Sequence, residues 1–127
     1  MARPKAKELT GRELELMHVF WSQGEMNVAE ARQHLLAAER DLAYTTVATL
    51  VRILCDKDFL EQRGSARPFT YSPLRSFEDV SGSITRDLIQ RVFGGARDQL
   101  LVQLLGGKKL TAKEREVLEK ILRDQKK

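Results

Sequence analysis

The sequence is poor in cysteine, proline and aromatic residues: one Cys, three Pro, one Trp, two Tyr and five Phe in 127 residues. A lone Cys55 excludes an intrachain disulfide framework, so any fold must rest on a packed core, and a reducing cytoplasm is the expected compartment. No stretch approaches the ~18 uninterrupted apolar residues of a membrane span, which predicts a soluble chain without membrane insertion. The basic start, Met1-Ala2-Arg3-Pro4-Lys5-Ala6-Lys7, leads into Glu8, Gly11, Arg12 and Glu13 rather than an apolar segment, so no secretory signal is expected. Catalytic signatures are missing too: there is no Gly-rich phosphate loop, no H-E-x-x-H and no Ser or Cys nucleophile motif. His18 and His34 fall on separate predicted helices with no Cys or acid cluster at ligand spacing. We therefore expect no enzyme, no metal and no cofactor, with both histidines at the surface or capping a helix.

What is present fits one small domain with a helical appendage. Hydrophobic residues make up 42% and charged residues 31%, normal for a globular chain and against wholesale disorder. The formal net charge of +4 is unevenly spread. Residues 1–7 carry +3, residues 8–42 carry −4, residues 43–75 carry +2 and residues 76–127 carry +3. Such polarity suits a protein that turns one face toward a polyanion.

Thr10-Gly11-Arg12-Glu13 has the pattern of a capping box, with Leu9 and Leu14 at staple spacing. Leu14, Met17, Val19, Phe20 and Trp21 then predict the apolar side of a first helix that Ser22-Gln23-Gly24 ends. Asn27-Val28-Ala29-Glu30 repeats the capping logic for a second helix, with Val28, Ala31, Leu35 and Ala38 at helical spacing. A third helix follows Ala43-Tyr44. On a wheel of ~100° per residue, Val47, Leu50, Val51 and Leu54 share one side, and Thr45, Ala48, Thr49, Arg52 and Asp56 the other. Threonine is a poorer helix former than the Glu, Lys or Gln usual on a solvated face. Thr45, Thr46 and Thr49 therefore suggest selection for something other than local stability.

Beyond Asp58 the pattern becomes a short hairpin: Phe59–Arg63, a turn at Gly64-Ser65-Ala66-Arg67, then Pro68–Pro73 with aromatic residues at period two. Three helices followed by a basic-tipped hairpin is the order of a winged helix-turn-helix, expected over residues 1–75. The fold class is mainly α, with a helical dimerisation region expected over residues 76–127. There Ser76-Phe77-Glu78-Asp79 can cap a helix bearing Val80, Ile84, Leu88, Ile89 and Val92, which Gly94-Gly95 breaks. Leu100, Leu101, Leu104 and Leu105 form a second apolar patch, and Thr111-x-x-Glu114 opens a helix with Val117, Leu118, Ile121 and Leu122. About fifty residues of short amphipathic helices cannot enclose a core alone, and a second copy of the chain is the simplest cover.

Thr45, Thr46 and Thr49 can meet base edges in the major groove, and Arg52 can reach guanine or phosphate. Asp56 and Asp58 would repel phosphate, so the helix should enter N-terminus first. Arg63 and Arg67 flank the wing as phosphate contacts, with Arg3, Lys5 and Lys7 holding phosphate loosely. Tyr44 completes this expected DNA-binding set. Cys55 is read as a half-buried packing thiol. The competing reading, a winged-helix adaptor that binds protein without specific DNA readout, is poorly served by a Thr-rich face with few exposed apolar residues.

The segment Leu42-Ala43-Tyr44-Thr45-Thr46-Val47-Ala48-Thr49-Leu50 joins a set of motifs in ordered spacing. The others are Leu9-Thr10-x-x-Glu13-Leu14-x-x-Met17-x-x-x-Trp21, Gly24-Glu25-Met26-x-Val28-x-Glu30-x-Arg32, Lys57-x-Phe59-Leu60, Phe93-Gly94-Gly95 and Leu110-Thr111-x-x-Glu114. Together they resemble the penicillinase-repressor (BlaI/MecI/CopY) family of bacterial transcriptional repressors, over nearly the whole chain. The resemblance implies a homodimer on an inverted-repeat, double-stranded DNA operator with TACA/TGTA-like half-sites, controlling antibiotic-resistance or stress genes. It also implies a membrane sensor-protease or other signalling partner, since antibiotic-responsive members are cut at an Asn-Phe bond in the dimerisation region. Gln103-Leu104 stands at that bond here, a departure that predicts poor cutting by a protease specific for Asn-Phe. Asp58 replaces the family's usual Gly after the third helix, and Ile53 replaces a residue that is often basic. The paired C-terminal cysteines of the copper-responsive branch are absent, which excludes its metal-sensing mechanism.

Overall fold

A computed structural model describes residues 8–125. The elements run α1 (Gly11–Gln23), α2 (Val28–Ala37), α3 (Tyr44–Asp56), β1 (Leu60–Arg63), β2 (Thr70–Pro73), α4 (Phe77–Phe93), α5 (Arg97–Leu105) and α6 (Ala112–Gln125). Two compact units divide the chain between Gly82 and Ser83, inside α4.

Three helix starts are sealed by reciprocal side-chain bonds of the kind their sequences suggested. Glu13 N donates to Thr10 Oγ1 at 3.2 Å and Thr10 N to Glu13 Oε1 at 3.0 Å. Asn27 and Glu30 exchange the same pair at 2.8 and 2.9 Å, as do Thr111 and Glu114 at 3.0 and 2.9 Å. Each pair satisfies amides that a helix start otherwise leaves bare. Ser76 Oγ accepts from Asp79 N at the start of α4.

The ends of α2 and α3 share a second device. Glu39 N donates to the Leu36 carbonyl and Arg40 N to that of Leu35. Asp58 N donates to the Cys55 carbonyl and Phe59 N to that of Leu54. Both are Schellman closures, which need a left-handed residue, and here Glu39 (φ 64°) and Asp58 (φ 67°) supply it where glycine would be free of strain. A side chain in that region costs about 1–2 kcal/mol, part of which glycine's freedom in the unfolded chain returns. Glu39→Gly is accordingly expected to raise stability by about 1 kcal/mol, read as a higher urea midpoint with an unchanged slope.

The core of the first unit draws Leu16, Met17 and Phe20 from α1, Val28, Ala31 and Leu35 from α2, and Val47, Leu50, Val51 and Leu54 from α3. Met26, Phe59, Leu60 and Val80 complete it. The buried face of α1 is therefore Glu13, Leu16, Met17 and Phe20, whereas Leu14, Val19 and Trp21, expected on that face, are only half-buried. β1 and β2 pair antiparallel with Leu60 opposite Pro73 and Arg63 opposite Thr70. The hairpin is anchored to the α1–α2 connection: Met26 and Tyr71 exchange both backbone bonds, and Thr70 Oγ1 donates to Glu25 Oε2 at 2.6 Å.

Val80 requires a correction. Its stripe of α4 was expected to serve dimerisation, yet Val80 is 5% exposed and packs in the core of the first unit. The physical reason is that the first turn of α4 is pinned to α1. Trp21 Nε1 donates to the Arg75 carbonyl at 2.8 Å, and the Trp21 and Phe77 rings meet edge to face at 5.4 Å. In the second unit no residue from Ser83 to Gln125 is buried.

Candidate nucleic-acid interface

Helix α3 is fixed from behind by its buried residues Val47, Leu50, Val51 and Leu54. On the other side Tyr44, Thr45, Thr49 and Arg52 are exposed, and Thr46 is half-buried. Among the described residues, the Arg52 side chain makes no ion pair or hydrogen bond, which leaves its guanidinium available. In contrast, Arg40 pairs with Glu15 at 2.9 Å.

The start of α3 differs from those of α1, α2 and α6. Its N-cap is Ala43, which offers no side-chain acceptor, and no acidic residue stands in its first turn. The first amides of α3 thus face outward at the positive end of the helix dipole, beside the hydroxyls of Thr45 and Thr46. Asp56 is exposed at the opposite end. This polarity fits an N-terminus-first approach to an anionic backbone.

The hairpin contributes two exposed cations. Arg63 Nη1 lies 3.1 Å from Glu61 Oε2, and the Arg67 guanidinium sits 5.6 Å from the centre of the Phe69 ring. Gly64 (φ 85°) makes the tight turn between them, in a conformation that favours glycine. Arg3, Lys5 and Lys7 lie outside the described residues.

Two features behind the face were not read from sequence. Glu13, expected only to cap α1, is 4% exposed, and its carboxylate accepts from Lys57 Nζ at 2.7 Å, just past the end of α3. Burial works to raise the Glu13 carboxyl, but the Lys57 hydrogen bond, the Thr10 amide and the Lys57 charge outweigh it and hold it below its ordinary value. Arg32, on α2, donates to the Leu42 carbonyl ahead of α3. Burial, then the Asp56 charge, push the Cys55 thiol up, so it stays protonated at neutral pH and packs against the core as expected. No group of His, Cys, Asp and Glu able to hold a metal occurs among the described residues. His18 is exposed and lies edge-on to Trp21 at 5.3 Å.

In the second unit Ile84, Leu88, Val92, Leu101, Leu104, Leu105, Ile121 and Leu122 are exposed, and Leu100 and Leu118 are half-buried. Val102, in the same apolar run, is 69% exposed. Five of the nine residues of α5 are apolar, Leu100, Leu101, Val102, Leu104 and Leu105, against Arg97, Asp98, Gln99 and Gln103. Gln103 and Leu104 lie within it. No helix of the described residues is long and apolar enough to cross a membrane.

Three packed helices, a hairpin wing and a third helix with an open, hydroxyl-rich outer face define a winged helix-turn-helix regulator of the DNA-binding class. The sequence pattern of the penicillinase repressor family matches residues 9–124. The chain belongs to that family, a family of transcriptional repressors rather than enzymes. It is 30% identical to the transcriptional regulator BlaI of Mycobacterium tuberculosis over 119 residues, 93% of this chain and 85% of the relative. It is 26% identical to the methicillin resistance regulatory protein MecI of Mammaliicoccus sciuri, over 93% of this chain and 95% of the relative. The solution structure of the DNA-binding domain of the repressor BlaI matches with a TM-score of 0.51 and 26% identity, covering 61% of this chain and 93% of that one. A complex of hsRosR, 14% identical, matches in fold with a TM-score of 0.56 over 96% of each chain.

Proposed function

We propose that this chain is a cytoplasmic, homodimeric repressor that reads an inverted-repeat operator through α3 and holds phosphates with the wing. The observation that carries the reading is the outer face of α3, where exposed Thr45, Thr49 and Arg52 stand beside an uncapped helix start while the opposite side is locked in the core. Tyr44 and Thr46 belong to the same face. Arg63 and Arg67 act as positioning contacts, and Lys5 and Lys7 add loose ones. The exposed apolar residues of α4, α5 and α6 form the dimer contact. The regulated genes are those of antibiotic resistance or stress, in keeping with the name of the MecI relative.

Release from DNA follows loss of the dimer. The trigger is either a sensor-protease of altered specificity or a non-proteolytic signal. The Gln103–Leu104 bond lies inside α5, and a protease that takes an extended substrate must first unwind that helix.

The division of roles has a direct test by fluorescence anisotropy on operator and random duplexes. Thr49→Ala and Arg52→Ala are expected to lose discrimination by about 1–3 kcal/mol. Arg67→Ala is expected to weaken both duplexes alike and to lower the salt slope by about one. Equal losses on both duplexes for all three variants would sink the assignment.

A further inference from the structure

The Arg32 side chain reaches from α2 to the backbone just ahead of α3. Its Nε donates to the Leu42 carbonyl at 2.8 Å, and its Nη2 stands 4.0 Å from Asp41 Oδ1. Leu42 directly precedes Ala43, the N-cap of α3, so the guanidinium holds the chain where the recognition helix begins. Local preference does little of this work. The turn opens with Glu39 in the left-handed region, and Ala43 brings no cap bond. The first buried residue of α3 is Val47, nearly a turn beyond its start. Leu42 packs its side chain against the core, and the Arg32 hydrogen bond adds a fixed direction for its carbonyl, and so for the peptide that leads into Ala43.

We infer that Arg32 is a positioning residue for operator discrimination: by holding the Leu42 carbonyl it places Tyr44, Thr45 and Thr46 against the base edges without reading a base itself. The inference rests on the proposed reading of α3. Base-edge hydrogen bonds weaken steeply with small errors of distance and angle, whereas attraction to phosphate is longer-ranged and tolerant. A shifted helix start therefore costs specific affinity and leaves non-specific affinity nearly intact. Lysine cannot replace Arg32, because it has no N–H at the Nε position and carries a flexible point charge instead of a planar fork.

The test uses the full chain as wild type, Arg32→Lys and Arg32→Met. Its probes are a duplex enriched by the wild-type protein from a random-sequence library and a scrambled duplex of equal length. Both variants are expected to bind the enriched duplex about tenfold more weakly, the scale of one lost base contact. Affinity for the scrambled duplex, the salt slope and the urea midpoint should hardly move, since the Leu42 carbonyl sits in a half-exposed loop and can turn to water. Equal losses on both duplexes overturn the inference. With a salt slope reduced by about one they make Arg32 a phosphate contact, and with a lowered midpoint they make it a support of the fold. Unchanged binding overturns it as well. If the wild-type chain enriches no sequence at all, the reading of α3 falls and this inference with it.

Discussion

Lys57→Met is expected to destabilise the winged helix by about 3–5 kcal/mol, because it strands a buried carboxylate. Glu13 Oε1 accepts from Lys57 Nζ at 2.7 Å and from the Thr10 amide at 3.0 Å, and Lys57 Nζ also donates to the Glu8 carbonyl at 2.8 Å. Methionine keeps the apolar stem and removes the charge, so the Thr10 amide alone must satisfy Glu13. Urea unfolding followed by circular dichroism at neutral pH measures the loss. Pairing it with Glu13→Gln should restore much of the stability, since neutralising both partners removes the unpaired charge. A loss under about 1 kcal/mol for Lys57→Met would place the pair in effective contact with water. The pair also sets an acid limit. The folded-state pKa of Glu13 lies below its unfolded value, so its contribution is full above the unfolded value, near pH ~4.3, and is lost as pH falls through the folded value. Glu13→Gln should therefore show lower stability at neutral pH and a shallower decline on acidification.

Placing lysine in the apolar face of the second unit should cost operator affinity by a larger factor than any single change in α3. Leu104 is 66% and Ile121 49% exposed, and in a homodimer both would be covered. Leu104→Lys together with Ile121→Lys would then bury two charges in the contact and return the chain to a monomer. A monomer loses the second half-site that tethering makes intramolecular, an effect of about 10²–10⁴ in overall affinity. Light scattering should give the monomer mass, and anisotropy should show the loss on a duplex with two half-sites and little change on one. A variant that stays a tight dimer removes the premise. Equal losses on both duplexes would assign these residues to the winged helix instead.

Much of the fold was legible because it is local. The T-x-x-E and N-x-x-E boxes need only residues three apart, and the wheel of α3 put Val47, Leu50, Val51 and Leu54 inside and Thr45, Thr49, Arg52 and Asp56 outside, whereas Ala48, expected outside, is half-buried against the core. Asp58, which stands where the family usually has Gly, has a φ of 67°, the left-handed conformation that glycine adopts without strain. What escaped was long-range. Glu13 and Lys57 are 44 residues apart, and Trp21 and Arg75 are 54 apart. No periodicity brings such partners together. The same blindness moved Val80 to the wrong unit, because an apolar stripe shows that a residue will be covered but not by what. In α1, Leu14 and Leu16 both suit an apolar face, and only the packing of α2 and α3 decides that Leu16 goes inside. Arg32 stood out only as a motif residue and its contact did not, since that contact is with a backbone carbonyl, which every residue possesses.

The place of Val80 bears on what becomes of a severed chain. The core that ends with Val80 lies wholly before Gly82, so a cut anywhere later, the Gln103–Leu104 bond included, removes none of its side chains. An N-terminal product of such a cut is expected to keep its fold and its α3 face, and under the proposed dimer it would give up only the tether to a second copy. Such a fragment would compete for the half-sites of its own parent, in equal number to the molecules destroyed. If the proposed release is proteolytic, the return of repression would depend on how fast fragments are cleared as well as on how fast new chains are made.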